Sequence, residues 1–447
     1  MSFGEKILDY KEDILKDLAE VIAINSVSVE GCEKPRQALE YMLKRGSEMG
    51  LDVKNIENIA GHIQYGTGEK LCGVLTHLDV VPAGEGWSVP PFELTHKNGR
   101  LYGRGIADDK GSAVVAMYCL KVLKDNNIVA DSTIRLILGT NEETGMTDVQ
   151  KYFSNEPVPD ISFTPDSDYG ICSCEKGIIQ ISLTGKNNSK VILNAKGGSA
   201  VNAVPDKAVF TLKEKFNSAV DKADSFEIEK NNDRFKIISK GKAAHAMEPD
   251  KGFNAITNAI KLIAEVFDEE KLGDIPAFIN KYIGTTTDGS LLGIDCGDSR
   301  SGTLTLNVGV INITEETAQV KVDIRYPVSS SYEKLVNILQ QKAEEFNLTL
   351  NVESHLEPLN VVEDSPIISV LKKSYQEITG EVPNIYSTGG GTYARSLKNR
   401  GVAFGPVFPD DYSNMHKPDE SLNEEKFFLH AQICLEAMYR MFTNNLK

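Results

Sequence analysis

Three apolar runs in the first half of the chain each stop just short of polar residues that can bind metal or move protons. Leu71 to Leu75 runs into His77, Thr133 to Leu138 ends before Asn141, Glu142 and Glu143, and Ile161 to Phe163 ends before Asp166. Short apolar runs bounded by polar turns read as buried strands. Gly111 to Lys124, with Val114, Val115, Met117, Tyr118 and Leu120 to Leu123, reads as a buried helix, and Ile7 to Ile24 repeats apolar residues at helical spacing. Strands alternating with helices imply an α/β fold with a mixed, mainly parallel sheet flanked by helices, which places reactive groups beyond the carboxyl ends of its strands.

The middle of the chain has a different pattern. Alternating segments recur at Ile178 to Leu183, Val209 to Leu212, Phe235 to Ser239, Thr303 to Ile311 and Ala318 to Ile324, with helical stretches at Asn254 to Phe267 and Tyr332 to Phe346. This reads as an inserted α+β domain. A chain of 447 residues is too long for one compact core. The expected division is a discontinuous catalytic domain, 1–175 and 359–447, with a lid domain at 176–358. His416 lies 250 residues after Asp166 (416−166), so a site using both needs such a discontinuous domain.

Composition narrows the partners. Apolar residues make up 41% and charged residues 25%, as in soluble globular enzymes, and the formal net charge of −16 opposes nucleic acid and anionic membranes. Met1 to Asp17 has no apolar signal core, and no run approaches the ~18 apolar residues of a membrane span. Seven cysteines, at 32, 72, 119, 172, 174, 296 and 434, include no C-x-x-C pair. Reduced thiols in a cytoplasmic protein are expected.

The motifs carry the chemistry. In His77-Leu78-Asp79 an extended backbone points both polar side chains the same way, so Asp79 can orient the imidazole. Asp108-Asp109 follows Gly103-Arg104-Gly105 and leads into a helix; one carboxylate suits a metal bridge and the other a cap or a supporting group. In Glu142-Glu143 adjacent side chains diverge, so one can bind metal while the other, its pKa raised by burial, serves as an uncoordinated base. With Asp166 and His416 this is a hard, anionic ligand set suited to divalent zinc, manganese or cobalt. His62, His96, His355 and His430 lack such contexts and read as surface or packing residues.

The intervals are 31 (108−77), 34 (142−108) and 23 (166−143). With H-x-D-V-V-P-x-G-x-G-W, G-R-G-x-x-D-D-K-G and H-K-P-D-E, the chain resembles, nearly end to end, the di-metal hydrolases that include aminoacylases, glutamate carboxypeptidases, desuccinylases and dipeptidases. Asp166 in T-P-D, the large insert and the segment Gly389-Gly390-Gly391-Thr392-Tyr393-Ala394-Arg395 make it most similar to PepV-type bacterial dipeptidases, which include carnosine-cleaving enzymes. The resemblance implies that Asp108 bridges two metals, with His77 and Asp166 completing one and Glu143 and His416 the other. It implies Glu142 as general base and Asp79 as the clamp on His77. It also implies His245 as oxyanion donor from the insert, Arg325 and Asn202 as partners of a substrate carboxylate, and backbone approach to substrate at Gly390 and Gly391.

The expected activity is a metal-dependent dipeptidase acting on small peptides with a free C-terminal carboxylate, through a metal-bridged water activated by Glu142. An N-acyl amino acid deacylase or desuccinylase of the same family is the alternative, and a non-catalytic metal-dependent binding protein a third reading. An insert of 183 residues (358−176+1) is large enough to replace a partner's surface within one chain, so a monomer is expected.

Overall fold

The computed structural model describes residues 2–28, 33–213, 225–231 and 234–443; Cys32 lies outside them. The chain divides into two compact units: Met1–Cys174, Leu359–Ser387 and Gly391–Lys447 form the first, and Glu175–Pro358 with Thr388–Gly390 the second. Glu175 and the short stretch 388–390 thus group differently from the division read in the sequence. The stretch 388–390 is tied in by hydrogen bonds: the Lys176 amide donates to the Thr388 carbonyl and the Arg325 guanidinium to the Gly389 carbonyl.

The first unit is built on a nine-stranded mixed sheet. Its central strands, Ser132–Gly139, Lys70–His77, Ile161–Thr164 and Gly401–Ala403, lie side by side and parallel. Asp52–Ile56 and Ala60–Tyr65 flank them antiparallel on one side and Ile171–Glu175 on the other. Helices Lys11–Ala23, Lys34–Glu48, Lys110–Asp125, Thr147–Asn155, Pro366–Thr379 and Glu424–Phe442 complete the unit. Lys110–Asp125 is buried over nearly its whole circumference, from Lys110 to Leu123, as its all-round apolar composition requires. The single N-terminal helix expected from Ile7 to Ile24 is instead a 3₁₀ stretch, Phe3–Tyr10, followed by the α-helix Lys11–Ala23. The early stretch is pinned to the C-terminal helix, where the Gly4 amide donates to Glu436 at 3.0 Å.

The second unit carries an eight-stranded sheet. Its strands run Phe226–Asn231, Arg234–Lys240, Lys207–Leu212, Ile192–Gly197, Thr305–Ile313, Thr317–Tyr326, Gly177–Lys186 and Thr349–Leu356, each antiparallel to its neighbours. Asn254 caps the helix Ala255–Ala264 by accepting the amides of Ile256 and Thr257. In Thr305–Ile313 the buried positions shift from Leu306 and Val308 to Ile311 and Ile313. The extra residue of a bulge between Val308 and Val310 accounts for the shift. The strand begins two residues later than the periodicity implied, because Gly302–Thr303 turns back to pair with Gly297–Asp298.

Candidate metal centre

His77 is the last residue of its strand and the register partner of Gly139, the last residue of the neighbouring strand. Its ring is fully buried, with Nδ1 2.9 Å from the Asp79 carbonyl oxygen and Nε2 2.8 Å from Asp108 Oδ1. A carbonyl only accepts, so Nδ1 carries a proton and Nε2 is the nitrogen left to ligate. The Asp79 carboxylate is the more distant partner, 3.5 Å from Nδ1. Its oxygens instead accept the amides of Glu142, at 3.1 Å, and Glu143, at 3.2 Å, together with the Ser28 hydroxyl.

Asp108 offers each oxygen to a different imidazole: Oδ1 faces His77, and Oδ2 lies 2.8 Å from His416 Nε2. Glu143 Oε2 lies 3.3 Å from His416 Nε2, and Asp166 Oδ2 lies 3.9 Å from His77 Nε2. The polar groups therefore form two sets that share Asp108. One ligand atom from each of His77, Asp108 and Glu143 fits within a 4.8 Å span. Asp109 stands at the N-cap position of the following helix but does not cap it. It is fully buried, and its Oδ2 accepts the His77 amide at 3.3 Å.

The electrostatics are those of crowded acids. Burial pushes the carboxyls of Glu142, Glu143 and Asp166 up, and neighbouring carboxylates push them further. Burial opposes ionisation of Asp108 as well, yet the hydrogen bonds from His416 and His77 hold it well below the usual carboxylate range. Hydrogen bonds to Asp108 and then Glu143 raise His416. Glu143 Oε1 is buried and has no hydrogen-bond partner among the described residues. An oxygen left without a donor among excess carboxylates fits a site made for divalent cations, and the donor set suits hard or borderline ions.

Two acids that the motif reading left without a role hold this arrangement. Glu420, the last residue of H-K-P-D-E, accepts the amides of Gly105 at 3.1 Å, Ala107 at 2.9 Å and Asp108 at 3.3 Å, and the Arg104 guanidinium at 2.6 Å. Burial, then the charge of Asp108, pushes it up to about 7. The segment that supplies His416 therefore also fixes the backbone of Asp108. Asp148 accepts the amides of Thr140 and Asn141, at 2.6 and 2.8 Å. Four consecutive amides, 140 to 143, thus point at two buried carboxylates. Glu420 was visible within its motif; Asp148 sits in no motif.

In the second unit, a backbone bridge pairs Ala203 with His245, and the Ala246 amide donates to the Asn202 carbonyl at 2.9 Å, so Asn202 and His245 are neighbours. His245 is exposed, and its Nδ1 accepts the Met247 amide at 3.1 Å. In the neutral ring this leaves the proton on Nε2, the form that donates. Arg325 is buried against Asp323, with Nε 2.6 Å from Oδ1 and Nη2 3.0 Å from Oδ2, and its Nη1 lies 3.1 Å from the Gly389 carbonyl. Three of five donors are thereby engaged, leaving two for a carboxylate. The Gly390 amide is committed to Thr388 Oγ1 at 3.0 Å. In the first unit a Cβ at Gly391 would lie 2.2 Å from Arg395 Nη2, so a side chain there would have to displace that guanidinium.

Residues 73–440 match Peptidase family M20/M25/M40. YtjP of Bacillus subtilis (strain 168), provisionally named a dipeptidase, is 35% identical over 472 residues, covering 99% of this chain and all of that protein. Among solved structures, the dipeptidase Dug1p from Saccharomyces cerevisiae superposes with a TM-score of 0.65 at 15% identity, covering 99% of this chain and 98% of that one. Human carnosine dipeptidase 1 gives a TM-score of 0.64 at 14% identity, with 98% of each chain covered. The chain belongs to the M20/M25/M40 peptidase family and is a metallopeptidase with that family's fold. Among the described residues, no helix is long and apolar enough to cross a membrane.

Proposed function

We propose that the protein is a cytoplasmic dipeptidase requiring two divalent cations, with the first unit as catalytic domain and the second as lid. Zinc, manganese or cobalt would be held by His77, Asp108 and Asp166 on one side and by Asp108, Glu143 and His416 on the other. Such cations, when bound, polarise an amide carbonyl and acidify water. Glu142 takes a proton from the attacking water and returns it to the leaving amine. His245 donates Nε2–H to the developing oxyanion. Arg325, held in place by Asp323, pairs with the substrate's C-terminal carboxylate through its remaining donors, and Asn202 supports the same end. The commitment of the Gly390 amide to Thr388 leaves steric closeness at Gly390 and Gly391 as the glycines' contribution. Free thiols at Cys72, Cys119, Cys296 and Cys434 accord with a reducing compartment. The protein acts as a monomer on small peptides.

One observation carries this reading. Glu143 lies within ion-pair distance of His416, whereas the adjacent Glu142, held by the same Asp79, makes no ion pair among the described residues. That is the division a ligand and a base require. The test is metal-reconstituted protein assayed against a dipeptide, its C-terminal amide, a tripeptide and an N-acyl amino acid, with released products identified. Hydrolysis of the dipeptide far above the other three is expected. Preferential cleavage of the N-acyl amino acid would make the protein a deacylase, and equal rates on all peptides would make it a general peptidase.

A further inference from the structure

We propose that Asp148 and Tyr393 form a positioning pair that sets the general base against the His77 side of the centre. The inference rests on Glu142 being that base. Asp148 Oδ2 accepts three donors: the amides of Thr140 and Asn141, at 2.6 and 2.8 Å, and the Tyr393 hydroxyl. Its Oδ1 accepts the Val149 amide at 2.8 Å. Both side chains are buried, Asp148 completely and Tyr393 to within 1%. Thr140 and Asn141 immediately precede Glu142, so the oxygen that fixes their amides fixes the direction in which the base leaves its strand.

The other end of the pair reaches the metal-ligand side. The Tyr393 ring meets the His77 imidazole edge to face, with centroids 6.1 Å apart and planes at 85°. Beside them lies Gly139, the register partner of His77, whose carbonyl accepts the Leu78 amide at 3.0 Å. A Cβ there would stand 2.0 Å from the Tyr393 hydroxyl oxygen and 2.4 Å from Asp148 Oδ2. The strand ends in glycine because the pair occupies the place of a side chain. One hydroxyl therefore links the turn of the base, the helix Thr147–Asn155 that carries Asp148 near its start, and the ring packed on His77. Neither Asp148 nor Tyr393 belongs to the proposed ligand set, and neither has a role in the proton transfers. Their effect is exerted through Glu142, whose displacement by a fraction of an ångström is enough to slow proton transfer.

The experiment uses the full chain loaded with cobalt(II), with Tyr393→Phe, Asp148→Asn and Asp148→Ala compared by kcat, KM, visible absorption of the bound cobalt and thermal unfolding. Tyr393→Phe keeps the ring on His77 and removes only the hydroxyl. It should lower kcat by ~10- to 100-fold with KM and the cobalt spectrum unchanged. Asp148→Asn, with its amide oxygen in the place of Oδ2, retains the three donors while its NH2 loses the Val149 amide, and should restore part of the turnover that Asp148→Ala loses. If Asp148→Ala does not fold, Tyr393→Phe carries the test. Wild-type kcat in Tyr393→Phe, or a fall in kcat matched by lost cobalt, overturns the pair as a positioning device. Asp148→Asn as slow as Asp148→Ala while unfolding at the wild-type temperature does the same, since the three retained donors would then not matter. Full turnover in Glu142→Gln overturns the base on which the inference rests, an outcome distinct from a failure of the pair.

Discussion

Asp17, His62, His77, Asp79, Arg104, Asp108, Asp109, Asp148, Glu420 and His430 all lie buried in the first unit, while the charged residues buried in the second are Glu175, Lys176, Asp323 and Arg325 among those described. The contrast reflects two kinds of construction. The second unit is an antiparallel sheet with an apolar core, and its candidate groups either form one ion pair or, like His245, are exposed. The first unit encloses its charges and satisfies them with backbone amides: Glu420 for the Asp108 loop, Asp79 and Asp148 for the Glu142–Glu143 turn. Buried charges are tolerated only when paired or hydrogen-bonded, and they keep a site in place before substrate arrives. The first unit is thus built for rigidity at the centre, and the second can lose its exposed groups without losing its fold.

The largest expected effect falls on the exception in the second unit. Arg325→Ala leaves Asp323 buried without its partner and should cost ~3–5 kcal/mol of stability, together with a loss in kcat/KM for dipeptides carrying a free carboxylate. Denaturant unfolding and kinetics on the same preparation measure both. Unchanged stability would mean that the pair does not hold the sheet.

His245→Ala comes next and should separate activity from stability. Turnover should fall by roughly 10²–10³-fold, the usual consequence of deleting an oxyanion donor, with metal content and melting temperature close to wild type. Turnover near the wild-type value would remove the second unit from the chemistry.

The smallest effect concerns acid. Burial, and then the nearby Arg135, pushes His62 down to about 4, and its Nδ1 accepts the Tyr152 hydroxyl at 2.8 Å. A neutral histidine in the fold that protonates near 6.5 when unfolded gives stability that is complete above about pH 6.5 and declines as the pH falls toward 4. At pH 5 the loss from His62 is about 2 kcal/mol. His62→Asn, with an acceptor at the position of Nδ1, should show a smaller fall between pH 7 and pH 5. Trp87, the only tryptophan in the chain, lies in the first unit and reports that unfolding by its fluorescence. An identical fall in the variant would contradict the assignment.

What the sequence made legible was local. Apolar runs ending at His77, Glu142 and Asp166 marked the strands and the edge where they stop, because burial on both faces leaves an unbroken apolar stretch. The alternation in the middle segments marked the antiparallel sheet. Partners set by long-range contact were not legible: Glu420 reaches Asp108 across 312 residues and Tyr393 reaches Asp148 across 245. The H-x-D spacing points to the Asp79 side chain as the clamp on His77, whereas the carbonyl of the same residue lies nearer. Periodicity says which way side chains point, not which backbone group a ring meets. The helix start at Asp109 left a cap and a supporting group both open; its carboxylate turns to the amide of His77 and takes the second part.

The central claim is that a ligand and a base stand side by side in the first unit while Asp108 serves both metal positions. Metal content and dipeptide turnover of Glu142→Gln and Asp108→Asn, measured side by side, test it most directly. Glu142→Gln should bind metal as the wild type does and lose turnover by ~10²–10⁴-fold, whereas Asp108→Asn should lose the metal itself. Loss of metal in Glu142→Gln, or retention of metal and turnover in Asp108→Asn, would contradict the account.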